Sequence, residues 1–267
     1  MTKKFLSSYK IKRIVNRILS QLNLQIVNRK WYAKLIPNHG KFDDEGFSAE
    51  IDKKHFIDYF FYLNLSKSQF RQDLFVLSEL GFKKKGFFIE FGATNGVDLS
   101  NTYLLETRFG WNGILSEPAK SWHSELLSNR KAAVEKNCVW KSTGENILFN
   151  EVADKELSTI DSFSNSDGRN RNKKNDNFKY EVETISLLDL LKKHNAPYKI
   201  DYLSIDTEGS EFEILNAFDF DTFDIKIITC EHNYTPMRQK ILNLLTEKGY
   251  VRKYSKFSLC DDWYVRQ

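Results

Sequence analysis

The stretch Glu90-Phe91-Gly92-Ala93-Thr94-Asn95-Gly96 puts a carboxylate at the end of a short apolar run, followed by two glycines four residues apart. Glycine-freed amides can cradle a phosphate, but a phosphate site disfavours an anion at its mouth. A dinucleotide turn needs G-x-G-x-x-G and a nucleotide loop needs G-x-x-x-x-G-K-[ST]; the chain contains neither. A carboxylate in that place suits a ligand that carries an ammonium group. Twenty-seven residues further on, a second apolar run ends in Ser116-Glu117-Pro118, where the Glu117 carboxylate can accept both hydroxyls of a ribose. Ammonium at one turn and ribose at the next describe S-adenosylmethionine.

Two later apolar runs also end in acids, Asp206-Thr207-Glu208-Gly209 and Glu231-His232-Asn233. Methyl transfer is an in-line displacement at carbon, so positioning dominates. A base that takes the acceptor's proton as the bond forms contributes ~10²–10⁴-fold. His232 or Asp206 can be that base, or Asp206 and Glu231 can hold a divalent ion, such as magnesium, that acidifies the acceptor. Glu208 also suits the dipole of a helix beginning near Ser210, and Glu211 and Glu213 read as capping acids of that helix. His232 reads equally as a structural histidine; His39, His55, His123 and His194 read as surface residues. Asn137-Cys138 falls where an adenine ring would lie, with a strand-end turn as the other reading of Asn137. Trp122 either covers that ring or packs in the core.

These tips need a scaffold that brings them together. Strands are predicted at 87–91, 112–116, 132–139, 200–205 and 225–231, with helices at about 98–109, 119–129, 186–194, 210–218 and 236–248. Ser186-x-x-Asp189 and Ser210-x-x-Glu213 read as capping boxes, and Thr235-Pro236 as a helix start. Such alternation implies a parallel, doubly wound sheet, whose ligands bind at the carboxyl ends of the strands. Residues 250–254 and 263–266 have no helix between them and are expected to form an antiparallel hairpin. Residues 145–152 form a strand outside the alternation, and Asn165–Asn177 a polar surface loop. Ahead of the sheet, 42–65 is aromatic-rich and helical, and 67–80 is a helix entered at Ser66 or Ser68 and stopped by Gly81. The expected division is a helical extension over 1–65 and a catalytic domain over 66–267.

The 267 residues are 41% hydrophobic and 28% charged, with 12 Gly and 4 Pro, enough for a packed core and against wholesale disorder. Cys138, Cys230 and Cys260 form no metal-ligand spacing and read as reduced thiols. Net charge is +4, yet residues 1–41 hold ten Lys/Arg and no acid, leaving 30 basic and 36 acidic residues in 42–267. That arm is broken by cations where a signal peptide would be apolar, and no apolar run reaches the ~18 residues of a membrane span. It reads as an interfacial helix on anionic lipid, as a helix packing on the protein's own core or a twin subunit, or as a nucleic-acid contact.

The stretches SQFRQDLFVLSELGFKKKGFFIEFGATNGVDLSNTYLLE, GWNGILSEP, TISLLDLL, IDYLSIDTEGSEFEIL, ITCEHN and DDWYV, in order over about Ser68 to Val265, resemble the FkbM-type class I methyltransferases. The resemblance implies a Rossmann-like sheet, mostly parallel, of seven strands with a C-terminal antiparallel hairpin. It implies S-adenosylmethionine as cofactor, with contacts from Glu90, Phe91, Gly92, Ala93, Asn95, Gly96, Asn101, Glu117, Pro118, Asn137 and Cys138. It also implies O-methylation, commonly of sugars in glycans or natural products, here with Asp206, Glu208 and His232 as catalytic residues. Glu90 stands where many relatives have Asp. Such an enzyme is expected in the cytoplasm, at the inner face of the plasma membrane if the arm binds lipid. Two other classes remain open on the sequence. A binding protein that had lost catalysis would keep the fold without a methyl donor. A nucleic-acid methyltransferase needs a basic groove, which the net-acidic body does not supply, and no N/D-P-P-Y/F run appears.

Overall fold

The computed structural model describes residues 42–152, 155–165 and 177–267. The basic arm of 1–41 and nearly all of the polar stretch 165–177 lie outside the described residues. In chain order the helices are α1 (Asp44–Glu50), α2 (Phe56–Tyr62), α3 (Gln72–Glu79), α4 (Tyr103–Phe109), α5 (His123–Asn129), α6 (Leu187–Lys193), α7 (Glu211–Ala217) and α8 (Met237–Glu247). The strands are β1 (Phe87–Phe91), β2 (Asn112–Ser116), β3 (Ala133–Glu135), β4 (Cys138–Trp140), β5 (Asn146–Glu151), β6 (Thr159–Ile160), β7 (Phe178–Ser186), β8 (Lys199–Ile205), β9 (Asp224–Glu231), β10 (Tyr250–Lys253) and β11 (Asp261–Arg266).

Seven strands form the main sheet in the order β10-β11-β9-β8-β1-β2-β3. β1 pairs in parallel with β2 (Phe91 opposite Ser116) and with β8 (Phe91 opposite Ile205), and β8 continues in parallel to β9. β11 runs antiparallel to both β9 and β10, so the expected terminal hairpin is present. The chain winds outward through β1, β2 and β3, then returns to the other side of β1 through β8 and β9. The reversal at β1/β8 opens a crevice at their carboxyl ends. The central strands are buried on both faces and read as near-continuous apolar runs, as a covered parallel sheet requires.

The third strand departs from expectation. The single strand predicted over 132–139 is two, β3 and β4. Oε1 of Glu135 accepts the backbone N–H groups of Lys136 and Asn137 at 3.0 and 3.1 Å, which turns the chain out of the main sheet. β4 then joins a second sheet, β4-β7-β5-β6, that the helix–strand alternation did not reveal. Its longest member, β7, pairs with β5 over six antiparallel positions and has its own apolar cluster of Ala119, Cys138, Trp140, Phe149, Ile160 and Val182.

Helix starts follow side-chain chemistry only in part. Ser186 caps α6 by accepting the Asp189 N–H at 3.1 Å, as its box predicts. Ser210 makes no such cap; its hydroxyl donates to Thr207 instead. The helix predicted over 67–80 is shorter, because Arg71 takes a left-handed conformation (φ 63°) and α3 begins after it. Residues 42–65, grouped on the sequence with the extension, pack on the sheet domain. Arg71 and Asp44 form a buried ion pair at 3.0 Å, and Phe47 lies 5.7 Å from Trp263.

Candidate active site

The cleft at the β1/β8 tips holds about 880 Å³ of empty space, part of it open to solvent. One wall is the loop after β1. Gly92 has φ +73°, and a Cβ there would lie 2.1 Å from the Asp206 carbonyl oxygen, so only glycine lets the tips of β1 and β8 come this close. Gly96 (φ +80°) leaves room for the Arg130 side chain, whose Cγ a Cβ would approach to 2.6 Å.

Glu90 was expected to face an ammonium group. It lines the cleft, but its carboxylate is turned to the chain: it accepts the Asn101 N–H (2.6 Å) and the hydroxyls of Ser100 and Thr102. The Arg130 guanidinium lies 3.6 Å away, fully buried. Arg130 also binds Glu106 (2.8 Å), the Gly96 carbonyl (3.0 Å) and the Thr102 hydroxyl (2.8 Å). Glu90 and Arg130 thus lock the 90–102 loop from inside. Arg130 was missed on the sequence because nothing local marks a cation at the end of α5 as buried. The buried acceptor left over at this end is Oδ1 of Asn101, whose amide nitrogen donates to Ser204 while the oxygen has no hydrogen-bond partner. An orphaned buried acceptor beside a lined cleft fits a ligand ammonium.

Glu117, at the tip of β2, takes one backbone N–H on each oxygen, Ala119 on Oε1 and Thr94 on Oε2, both at 2.8 Å. Burial raises its pKa to about 7 despite those bonds. Each oxygen keeps a second lone pair for a hydroxyl, so Glu117 fits the ribose of the expected donor.

The opposite wall carries acids. Ligand oxygens of Asp206, Glu208 and Glu231 all lie within 4.8 Å of one another, with Asp206 the most exposed. Burial, then the charges of Asp206 and Glu208, hold the Glu231 carboxyl well above the ordinary carboxylate range. Like charges this close do not all ionise, so the cluster retains a proton that its members share. Glu208 sits in the left-handed region (φ 58°), an uncommon conformation for a non-glycine residue. Two side chains hold the turn in that shape. Glu211 accepts the N–H groups of Thr207 and Gly209 at 3.0 and 2.9 Å, and the Thr159 hydroxyl of β6 reaches the carbonyls of Thr207 and Glu208. Glu211, read as a capping acid, therefore shapes the active-site turn.

Of the cofactor residues expected, Glu90, Phe91, Gly92, Asn101, Glu117, Pro118 and Cys138 line the cleft; Ala93, Asn95, Gly96 and Asn137 do not. Asn95 instead closes the loop on itself, its Oδ1 accepting from Val97 and Asp98. Asn137 offers its carbonyl to Ser116. Of the catalytic residues, Asp206 and Glu208 line the cleft and His232 does not. His232 is buried, burial lowers its pKa, and its Nδ1 already accepts the Tyr234 N–H at 3.0 Å. Its acceptor nitrogen is thereby occupied by the backbone. Trp122 packs on the second cluster rather than lining the cleft. Phe149 of β5 and Ile160 of β6, with Glu156 and Ser158 between those strands, complete the cleft; the strand expected over 145–152 is present as β5, but its place in a second sheet beside the cleft was unforeseen. Cys138 and Cys230 are buried, and burial pushes the Cys138 thiol to about 12, so it is no nucleophile.

Sheet order, terminal hairpin and a site at the β1/β8 reversal define a class I methyltransferase fold. The model of the methyltransferase FkbM domain matches residues 90–252, more than half of the sequence. The chain belongs to that family. It is similar to the structure of methyltransferase FkbM from Methylobacillus flagellatus KT at 10% identity and a TM-score of 0.44, covering 83% of this chain and 57% of that one. It therefore spans little more than half the length of that relative. It is also similar to precorrin-6y C5,15-methyltransferase from Geobacter metallireducens GS-15, at 10% identity and a TM-score of 0.39, over 72% of this chain and 85% of that one. No curated protein matches this chain.

Proposed function

We propose that the protein is an S-adenosylmethionine-dependent O-methyltransferase acting on a sugar hydroxyl of a glycan, in particular a bacterial surface polysaccharide such as capsule, O-antigen or a lipid-linked precursor. The observation that carries this reading is one cleft lined by Asn101 and Glu117 and by Asp206 and Glu208, with the buried Glu231 within 4.8 Å of the latter two. When bound, S-adenosylmethionine supplies an electrophilic methyl group on a sulfonium. Asn101 and Glu117 would hold the donor, and Asp206 would take the acceptor's hydroxyl proton as the new O–CH₃ bond forms and the S–CH₃ bond breaks, nearby acids favouring its proton uptake. Among the described residues the cleft wall carries Glu90, Asp98, Glu117, Glu156, Asp206 and Glu208 and no lysine, arginine or histidine. That wall suits a neutral acceptor and repels a polyanion, which disfavours nucleic acid. The cationic arm of 1–41 would hold the enzyme at the inner face of the plasma membrane. No helix among the described residues is long and apolar enough to cross a membrane.

The test is incubation of the protein with S-adenosylmethionine and delipidated polysaccharide, read by mass spectrometry for the increment of one CH₂ group on a sugar residue. Absence of any increment across neutral glycans, with donor binding intact, would reject the acceptor class. An arm with added magnesium and one with a chelator examine the second reading of the acidic cluster, in which Asp206, Glu208 and Glu231 ligate a divalent ion. Equal rates in both arms leave the carboxylates as proton acceptors.

Donor binding should also depend on pH through Glu117. The ribose hydroxyls donate to the ionised carboxylate, so affinity rises with pH up to the plateau above its pKa of about 7. Below that value the dissociation constant should grow about tenfold per pH unit. Calorimetry of the native protein and of Glu117→Gln between pH 5.5 and 8.5 reads this directly, with the variant weaker and flat. A flat native profile would separate Glu117 from the donor site.

A further inference from the structure

The helix α2 presents apolar side chains to solvent. Tyr59 is fully buried and donates its hydroxyl to Asp44 at 2.8 Å, and Leu63 one turn on is buried too. On the other side Phe56, Ile57 and Phe61 are 45%, 60% and 71% exposed, and Leu65 beyond the helix end is 36% exposed. At about 100° per residue, Ile57 and Phe61 lie about 160° round the helix from Tyr59, with Phe60 and Phe56 extending the apolar arc back toward the buried side. The outward arc of a surface helix normally carries polar residues; this one carries aromatic and branched apolar ones.

Cations frame the patch. Lys53 and Lys54 lie in the turn that leads into α2 and are exposed. Phe82 stacks on Tyr62 at 6.0 Å and on His55 at 5.4 Å, which brings the exposed run Lys83-Lys84-Lys85 beside the helix. Lys54 is paired with Asp52 and Lys83 with Asp201, while Lys53, Lys84 and Lys85 make no ion pair among the described residues.

We propose that this face docks on an anionic lipid surface, with Phe56, Ile57 and Phe61 entering the headgroup boundary and the lysines meeting the lipid phosphates and carboxylates. Exposed aromatics rimmed by lysine are the side-chain set that interfacial binding uses. Charge selects lipid over a second copy of this chain: a two-fold contact through this face would set one cationic rim, Lys53, Lys84 and Lys85, against the other. The placement leaves the enzyme open, because Lys83–Lys85 precede β1 at its amino end and the cleft lies at its carboxyl end. This inference does not rest on the cationic arm or on the acceptor's identity.

The experiment is sedimentation of the full chain with vesicles of mixed phosphatidylserine and phosphatidylcholine, and with phosphatidylcholine alone. The triple substitution Phe56→Ser, Ile57→Ser, Phe61→Ser should weaken binding to the mixed vesicles on the order of tenfold. Lys53→Glu with Lys84→Glu and Lys85→Glu should do the same, and both variants should bind S-adenosylmethionine as the native protein does. Undiminished sedimentation of the apolar variant, or equal native binding to phosphatidylcholine alone, would overturn the proposal. So would a fall in thermal unfolding temperature or a change of oligomeric state in the apolar variant, either of which assigns the face to protein packing.

Discussion

Replacement of Asp206 by asparagine is expected to lower turnover by ~10²–10⁴-fold while leaving S-adenosylmethionine binding nearly unchanged. Asparagine keeps the shape and the hydrogen-bonding reach but cannot accept a proton. The choice of Asp206 over its neighbours rests on electrostatics. Glu231 is buried beside two other acids, and that burial with their charges holds its carboxyl well above its ordinary range, which favours its protonated form. Asp206 is the most exposed of the three and lines the cleft, which gives it access to an acceptor. The complementary change, Glu231→Gln, should lower turnover much less, because a Glu231 that holds its proton is already neutral and glutamine keeps its size and hydrogen-bonding reach. Single-turnover kinetics with calorimetry of donor binding separates these effects. An Asp206→Asn protein that retains most of its rate would place the base elsewhere, and His232, with Nδ1 engaged by the Tyr234 N–H, would not be its replacement.

The second large effect is expected at a residue that touches no ligand. Arg130→Met should destabilise the protein by about 3–5 kcal/mol, the usual result of removing one partner of a buried ion pair. Its guanidinium is fully buried between Glu90 and Glu106 and also bonds the Gly96 carbonyl and the Thr102 hydroxyl. Methionine fills much of the volume but leaves two carboxylates and a carbonyl facing an apolar chain. In a domain of this size that loss lowers the unfolding temperature by roughly 10 °C. Arg130→Lys should rescue little, since an ammonium cannot span the partners that the planar fork bridges. Donor affinity should fall with stability, because the loop carrying Asn101 and Thr94 is held by the same network. Calorimetric unfolding decides it: a loss under about 1 kcal/mol would mean that the network is slack.

The pair Glu90 and Arg130 also shows how far a sequence can be read. Glu90 is legible because it follows an apolar run and precedes two glycines, all within seven residues. Its partner lies forty residues away on another element, and no spacing connects them. The ammonium-facing role therefore passed, on the sequence, to the visible carboxylate, whereas the structure turns that carboxylate inward and leaves the Asn101 oxygen as the orphaned acceptor. His232 is a similar case. A histidine at a strand tip beside an acid reads as a base, and only the backbone path of Tyr234 reveals that its acceptor nitrogen is taken.

The second sheet was hidden for a different reason. Lys136 and Asn137 carry no glycine or proline to announce a break, so 132–139 read as one strand. The turn is made by the Glu135 side chain accepting two backbone N–H groups, and Lys193 and His194 from α6 hold that carboxylate in place. β7 alternates polar and apolar residues but follows a polar segment, and it pairs with β5 across 27–37 residues of chain and with β4 across 46.

Sequence alone determined the local grammar: five parallel strands as apolar runs, the helices between them, the terminal hairpin, and the acids Glu90, Glu117, Asp206, Glu208 and Glu231 at the strand tips. These follow from periodicity and from the rule that strand ends in a doubly wound sheet converge on one crevice. Tertiary structure alone decided which of those acids face the cleft, which are sealed by Arg130, and that a second sheet closes the far wall. Such choices depend on contacts between residues far apart in the chain, where burial sets the charge of a carboxylate and the approach of one backbone to another, as at Gly92 and Asp206, sets the shape of the site.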